Sequence, residues 1–106
     1  MSSKKIVVMA EFSIIPLGSE KTSVSRYVAQ AIKAMKNVKG IRYEISPMGT
    51  ILEAENLEII LKAVNSAHKA MVKAGSKRIV STLRIDDRRD KPRTMESKVR
   101  SVKKQI

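Results

Sequence analysis

The sequence has no cysteine and no tryptophan. Without cysteine there can be no disulfide, zinc–thiolate site, iron–sulfur cluster or thiol nucleophile. Aromatic side chains are scarce as well: one phenylalanine, Phe12, and two tyrosines, Tyr27 and Tyr43. A mechanism resting on ring stacking therefore starts with little material. His68 is the sole imidazole, and with no cysteine or carboxylate cluster around it too few ligands remain for a metal. Nor does the sequence supply His68 with an evident serine partner, so no nucleophile–base constellation and no enzyme are expected. No apolar run approaches the roughly 20 residues of a membrane span. The opening residues Met1 to Lys5 lead into a strand-like segment rather than a secretory signal. The cytoplasm is the expected compartment, with no membrane partner.

Acids are the other shortage. There are 10 Asp and Glu against 22 Lys and Arg, a formal charge of +12 on 106 residues. So basic a chain must be weighed for nucleic-acid binding, because neutralised phosphates release counterions. Its basic residues are scattered, however: Lys33, Lys36 and Lys39, then Lys69, Lys73 and Lys77, then the run from Arg88 to Arg93. The first two sets have the spacing of a helix's wet face, and solvated helix surfaces account for them. With 42% apolar residues the chain can build a core, and one domain over 1–106 is expected.

Residues 5–15 read as a strand closed by Pro16-Leu17-Gly18. Alternation puts Ile6, Val8, Ala10, Phe12 and Ile14 on one face and Val7, Met9, Glu11, Ser13 and Ile15 on the other. Thr22 or Ser23 can cap a helix with apolar Val24, Tyr27, Val28, Ala31, Ile32 and Met35, ending near Gly40. Residues 41–45 alternate as a second strand, Ser46-Pro47-Met48-Gly49 turns, and 50–54 returns as a third. Ile51 and Leu52 are both good core residues, so which side of this third strand faces inward stays open. Asn56 caps a helix that runs to Gly75, and 77–86 is a fourth strand. A last helix starts near Thr94, with Met95, Val99, Val102 and Ile106 on one side. The order βαββαβ, with right-handed crossovers, places both main helices on one face of a four-stranded antiparallel sheet. The expected class is α+β: a ferredoxin-like sandwich with an extra C-terminal helix.

The uncovered sheet face is where function is expected. It carries Val7, Met9, Ile15 and Val80 among Glu11, Ser13, Thr82 and Arg84, more apolar surface than a face meant only for water needs. Glu11 and Arg84 lie on neighbouring strands and can pair across them. If a second subunit covers this face, the same polar residues become ligand-binding candidates. Gly18-Ser19-Glu20-Lys21-Thr22 superficially resembles a phosphate-binding loop but lacks the glycines that wrap phosphate. Domains that read RNA with this fold stack bases on aromatics of the two central strands. Here the only aromatic in 5–15 and 50–54 is Phe12, on the helix side, which removes the commonest nucleic-acid version of this fold; nucleic acid is not the expected partner. The acids Asp86, Asp87 and Asp90 stand among Arg88, Arg89 and Arg93, as in a mutually neutralising network.

The stretches Glu11 to Gly18 and Ser23 to Val28 resemble the opening signature of the thiamine-binding, YkoF-like protein family. Ser46 to Glu53 and Ile85 to Lys91 are similar to its later blocks, in the same order. The resemblance implies a ferredoxin-like fold, dimers and tetramers built through sheet and C-terminal-helix contacts, no catalysis, and cytoplasmic binding of thiamine or its hydroxymethylpyrimidine half. Thiamine would then be a bound ligand, with no catalytic cofactor expected. An aminopyrimidine asks for a carboxylate and a hydroxyl, and a thiazolium cation asks for a nearby carboxylate or an aromatic face. Glu11, Ser13, Thr50 and Glu53 can supply the polar complement, while Met9, Met48 and Tyr43 can supply walls. Thr82 and Arg84 complete the candidate set. The alternative is an anion- or nucleotide-binding regulatory oligomer, with Arg84, Arg88 and Lys21 at a subunit junction; a third option, ranked below it, is a basic protein that binds nucleic acid non-specifically, with affinity falling steeply with salt.

Overall fold

The computed structural model describes residues 8–18, 24–90 and 95–106. Strand β1 (Val8–Pro16) alternates buried and more exposed residues along most of its length. Helix α1 (Val24–Met35) is followed by the hairpin strands β2 (Arg42–Ser46) and β3 (Gly49–Ala54). Helix α2 (Leu57–Lys73), strand β4 (Ile79–Asp87) and helix α3 (Met95–Lys103) complete the chain. The strands form one sheet in the order β2-β3-β1-β4, antiparallel throughout. This is the expected α+β arrangement, with β1 and β3 central and α1 and α2 packed together on one side.

The local signals explain the element ends. The Asn56 side chain accepts a hydrogen bond from the Ile59 N–H, satisfying one donor that the first turn of α2 leaves unpaired. Gly75 stops that helix with φ +107°, a conformation that costs a residue with a Cβ. The expected cap at Thr22 or Ser23, the strand residues 5–7 and the helix start at Thr94 lie outside the described residues, as does most of the loop Gly18 to Thr22.

The core lies between sheet and helices. Val8, Ala10, Phe12 and Ile14 of β1 meet Leu52 and Ala54 of β3, Ala31 and Met35 of α1, and Ile60, Ala63, Ala67 and Met71 of α2. Small residues on the helices (Ala31, Ala63, Ala67) let the backbones approach the sheet, while Phe12, Met35 and Met71 fill the space between them. The inward side of β3 is now defined. Thr50, Leu52 and Ala54 stand opposite Phe12, Ala10 and Val8 and face the helices, so Ile51 and Glu53 face away.

Candidate functional site

The sheet face away from α1 and α2 is assembled by register. Arg42, Glu53, Met9 and Asp86 form one row across β2, β3, β1 and β4. Glu44, Ile51, Glu11 and Arg84 form the next. Ser13 then stands opposite Thr82, and Ile15 opposite Val80. The pairing of Glu11 with Arg84 is present: the two are direct cross-strand partners, with Nη2 3.6 Å from Oε1. That separation is an ion pair longer than a hydrogen bond, and both side chains keep solvent contact, so the carboxylate can accept a new donor.

This face is not wholly bare. The first turn of α3 sits on its Arg42–Asp86 row: the Met95 N–H donates to Glu53 Oε2 at 2.8 Å, and Met95 is buried there. Glu53 Oε1 is in ion-pair contact with Arg42, whose Nη2 also donates to Glu96 Oε2 at 2.8 Å. On the opposite flank Lys98 Nζ donates to Asp86 Oδ2 at 2.7 Å. Two ion pairs and one N-terminal amide thus seat α3 across the sheet. A carboxylate suits that place, because the first amides of a helix are unpaired donors at its positive end.

Beside α3 a cavity of about 420 Å³ opens on the face, lined by Met9, Ala10, Glu11, Ile51, Arg84, Ile85, Asp86 and Lys98. Its described lining has two carboxylates and two cations, and is thus locally neutral in a strongly basic chain. Met9 and Ile51 flank Glu11 as apolar walls. A second, smaller crevice of about 230 Å³ lies between α1 and the β2–β3 hairpin. Ser13, Met48 and Thr50 line it together with Phe12, Ile32 and Ile45, and among the described residues no charged side chain does.

The nine candidate residues therefore separate, Met9 falling in the sheet-face cavity. Glu11 and Arg84 share the sheet-face cavity, with Ser13 and Thr82 one cross-strand pair further along the same face. Met48 and Thr50 belong to the hairpin crevice, which Ser13 also touches. Tyr43 stands opposite Leu52 on the helix side of the edge strand, away from Glu11. Glu53 is fully buried and already occupied by α3 and Arg42. The residues proposed for an anion are also dispersed. Arg88 Nε donates to Asp90 at 2.9 Å, and that bond and charge raise the guanidinium's pKa; Lys21 lies outside the described residues. Arg89 is held the same way by Asp87.

Sequence reasoning missed Arg42, Ile51, Asp86 and Lys98 as participants. Arg42 and Glu44 alternate with Tyr43 and Ile45, a period-2 signal of an outward pair, and Ile51 needed only the inward side of β3 to be known. The link from Lys98 to Asp86 has no such signal. His68, too, has a partner that its sequence position did not reveal: Nε2 lies 2.8 Å from Ser81 Oγ, between α2 and β4.

The family model described as thiamine-binding protein matches residues 10–103. The UPF0045 protein of Methanothermobacter thermautotrophicus is 52% identical over 100 residues, covering 94% of this chain and 100% of that protein. The YqgV protein of Bacillus subtilis is 39% identical over 103 residues, 94% of this chain and 98% of its own. A crystal structure of a hypothetical protein from Methanocaldococcus jannaschii matches with a TM-score of 0.80 at 42% identity, covering 95% of this chain and 98% of that one. A Thermotoga maritima protein, described as a candidate for thiamine biosynthesis or salvage, matches with a TM-score of 0.73 at 25% identity, covering 90% and 97%.

Proposed function

Because the chain belongs to the thiamine-binding protein family, we propose that it is a non-catalytic cytoplasmic protein that binds thiamine or its hydroxymethylpyrimidine half. The ligand lies on the sheet face, and copies of the chain close over that face as dimers that pair into a homotetramer. The observation that carries this reading is the Glu11 cavity: a half-exposed carboxylate held loosely by Arg84, between Met9 and Ile51. Its volume falls in the range of about 300–1,000 Å³ usual for small-molecule pockets. Glu11 accepts from the pyrimidine's exocyclic amine, the apolar walls take the ring faces, and Ser13 and Thr82 offer hydroxyls to the ring nitrogens or the hydroxymethyl group. Glu11 and Asp86 offset the repulsion that a net charge of +12 would exert on the thiazolium. Glu53 acts by holding α3 beside the cavity.

The non-catalytic reading is supported by the surroundings of His68. It bonds Ser81, but no described carboxylate orients its other ring nitrogen, and neither residue lines the sheet-face cavity. The test is a thermal-shift and calorimetry panel with thiamine, hydroxymethylpyrimidine, thiamine phosphates and nucleotides. Thiamine or the pyrimidine should raise the melting temperature, since a ligand selective for the folded state must. Glu11→Gln should abolish the rise while unfolding normally. No rise at about 1,000 times a micromolar Kd, where linkage gives about 4 kcal/mol, rejects the reading; a rise with phosphates alone transfers it to an anion.

A further inference from the structure

The fold sorts the charges that the sequence scatters. α1, α2 and the turns following them (residues 24–40 and 57–78) carry nine Lys or Arg and a single acid, Glu58. The other described residues carry eight of each sign. The whole net charge of the described residues therefore lies in the helix layer. All nine cations are exposed, and among the described residues none of them forms an ion pair. On the sheet side acids equal bases in number, and five of the eight cations, Arg42, Arg84, Arg88, Arg89 and Lys98, have a carboxylate partner. A surface serving solubility alone mixes its signs, as the sheet side does. The helix side does not.

We propose that the exposed sides of α1 and α2 form a sequence-independent contact surface for the phosphate backbone of double-stranded nucleic acid. The protein is a plate with extents of 45 × 36 × 17 Å, so its broad side can span a duplex turn of about 34 Å. Lys62, Lys69 and Lys73 follow one side of α2 over about 16 Å at 1.5 Å per residue. Lys33 and Lys36 stand at the C-terminal end of the neighbouring helix. Seven of the nine cations are lysines, whose compact point charge on a flexible stem suits phosphate contacts, which fix position without reading sequence. Base stacking is not required of this surface, so the lack of aromatics, which removes single-strand and sheet-face modes, leaves backbone contact intact. Most apolar positions of both helices are buried or half-buried in the protomer; among their large apolar residues only Val24, Leu61 and Val72 are exposed. An interfacial helix needs an apolar side to enter the acyl boundary, which disfavours a lipid surface.

The test is fluorescence anisotropy on the full chain with two duplexes of unrelated sequence, each of about 24 base pairs, between about 50 and 200 mM salt. Both duplexes should bind alike, and affinity should fall about 10²–10³-fold across that range, as expected for about five phosphate contacts. Lys62→Gln/Lys69→Gln/Lys73→Gln should reduce the slope of log affinity against log salt by about 3. The sheet-side control Arg100→Gln/Lys103→Gln should leave it unchanged. Thermal unfolding of the triple variant, and its response to thiamine, should match the parent, which separates this surface from the ligand site. Absence of binding at the lower salt, equal loss in the control, or binding to vesicles of anionic lipid without binding to duplex would overturn the proposal.

Discussion

Glu53 is a fully buried carboxylate on the sheet face that α3 crosses, and its neighbours explain how it remains there. It takes an amide from Met95 and a guanidinium from Arg42, which itself stays half in water. A buried charge is tolerated while paired and costly once its partner is removed. Arg42→Met should therefore destabilise the protein by about 2 kcal/mol, below the value of about 3–5 for a wholly dry pair, because water can reach the vacated place. Glu53→Gln removes the charge but keeps an acceptor for Met95, and should cost about 1 kcal/mol. Urea unfolding at neutral pH measures both; equal losses would show that the ion pair adds nothing beyond the amide contact. Glu11 behaves oppositely. Its long, exposed contact with Arg84 places Glu11→Gln within about 0.5 kcal/mol of the parent in the same experiment, because such pairs contribute little. These two acids were indistinguishable in the sequence. Both occur in strands among apolar neighbours, and only α3 makes one structural and leaves the other accessible.

At the scale of elements, the caps and turns have separate costs. Asn56→Ala should lower stability by about 1 kcal/mol through the lost bond to the Ile59 N–H. Gly49 has a different reason for being glycine: a Cβ there would stand 2.9 Å from the Phe12 carbonyl oxygen, a backbone atom that cannot swing aside. Gly49→Ala should force the hairpin off β1 and cost about 1–3 kcal/mol, read from the shift in the urea midpoint. Most of this layer was legible beforehand. β1 alternates without a break, and α2 carries its own start and stop in Asn56 and Gly75. The orientation of β3 was not legible, because Ile51 and Leu52 satisfy a core equally and only pairing with β1 selects Leu52. The position of α3 was hidden for another reason. Its polar attachments join Met95 to Glu53, Glu96 to Arg42 and Lys98 to Asp86, contacts between distant residues that leave no periodic trace in either segment.

At the scale of the whole molecule, charge and apolar surface select the same side for self-association. Stacking helix layers would bring nine exposed cations against nine more, whereas the sheet side is neutral among its described residues. α3, whose described polar links to the sheet come from Met95, Glu96 and Lys98 in its first turn, adds to that side Val99 and Val102, and Ile106 follows beyond the helix end; all three are exposed. In the proposed oligomer, the apolar residues that this helix leaves bare in one copy pack against another. The expected assembly is a homotetramer joined through sheet faces and α3, which light scattering should report as about four times the 11.8 kDa chain. Val99→Asp/Val102→Asp should shift the population toward smaller species while leaving secondary structure intact, since neither residue belongs to the protomer core. Salt discriminates the two possible surfaces. An interface between neutral apolar faces holds or tightens as ionic strength rises, because screening removes only the residual repulsion between the basic outer layers. An assembly that instead dissociates between about 0.1 and 1 M salt, where the screening length falls from about 10 to 3 Å, must rest on exposed ion pairs, and the sheet-to-sheet arrangement would then be wrong.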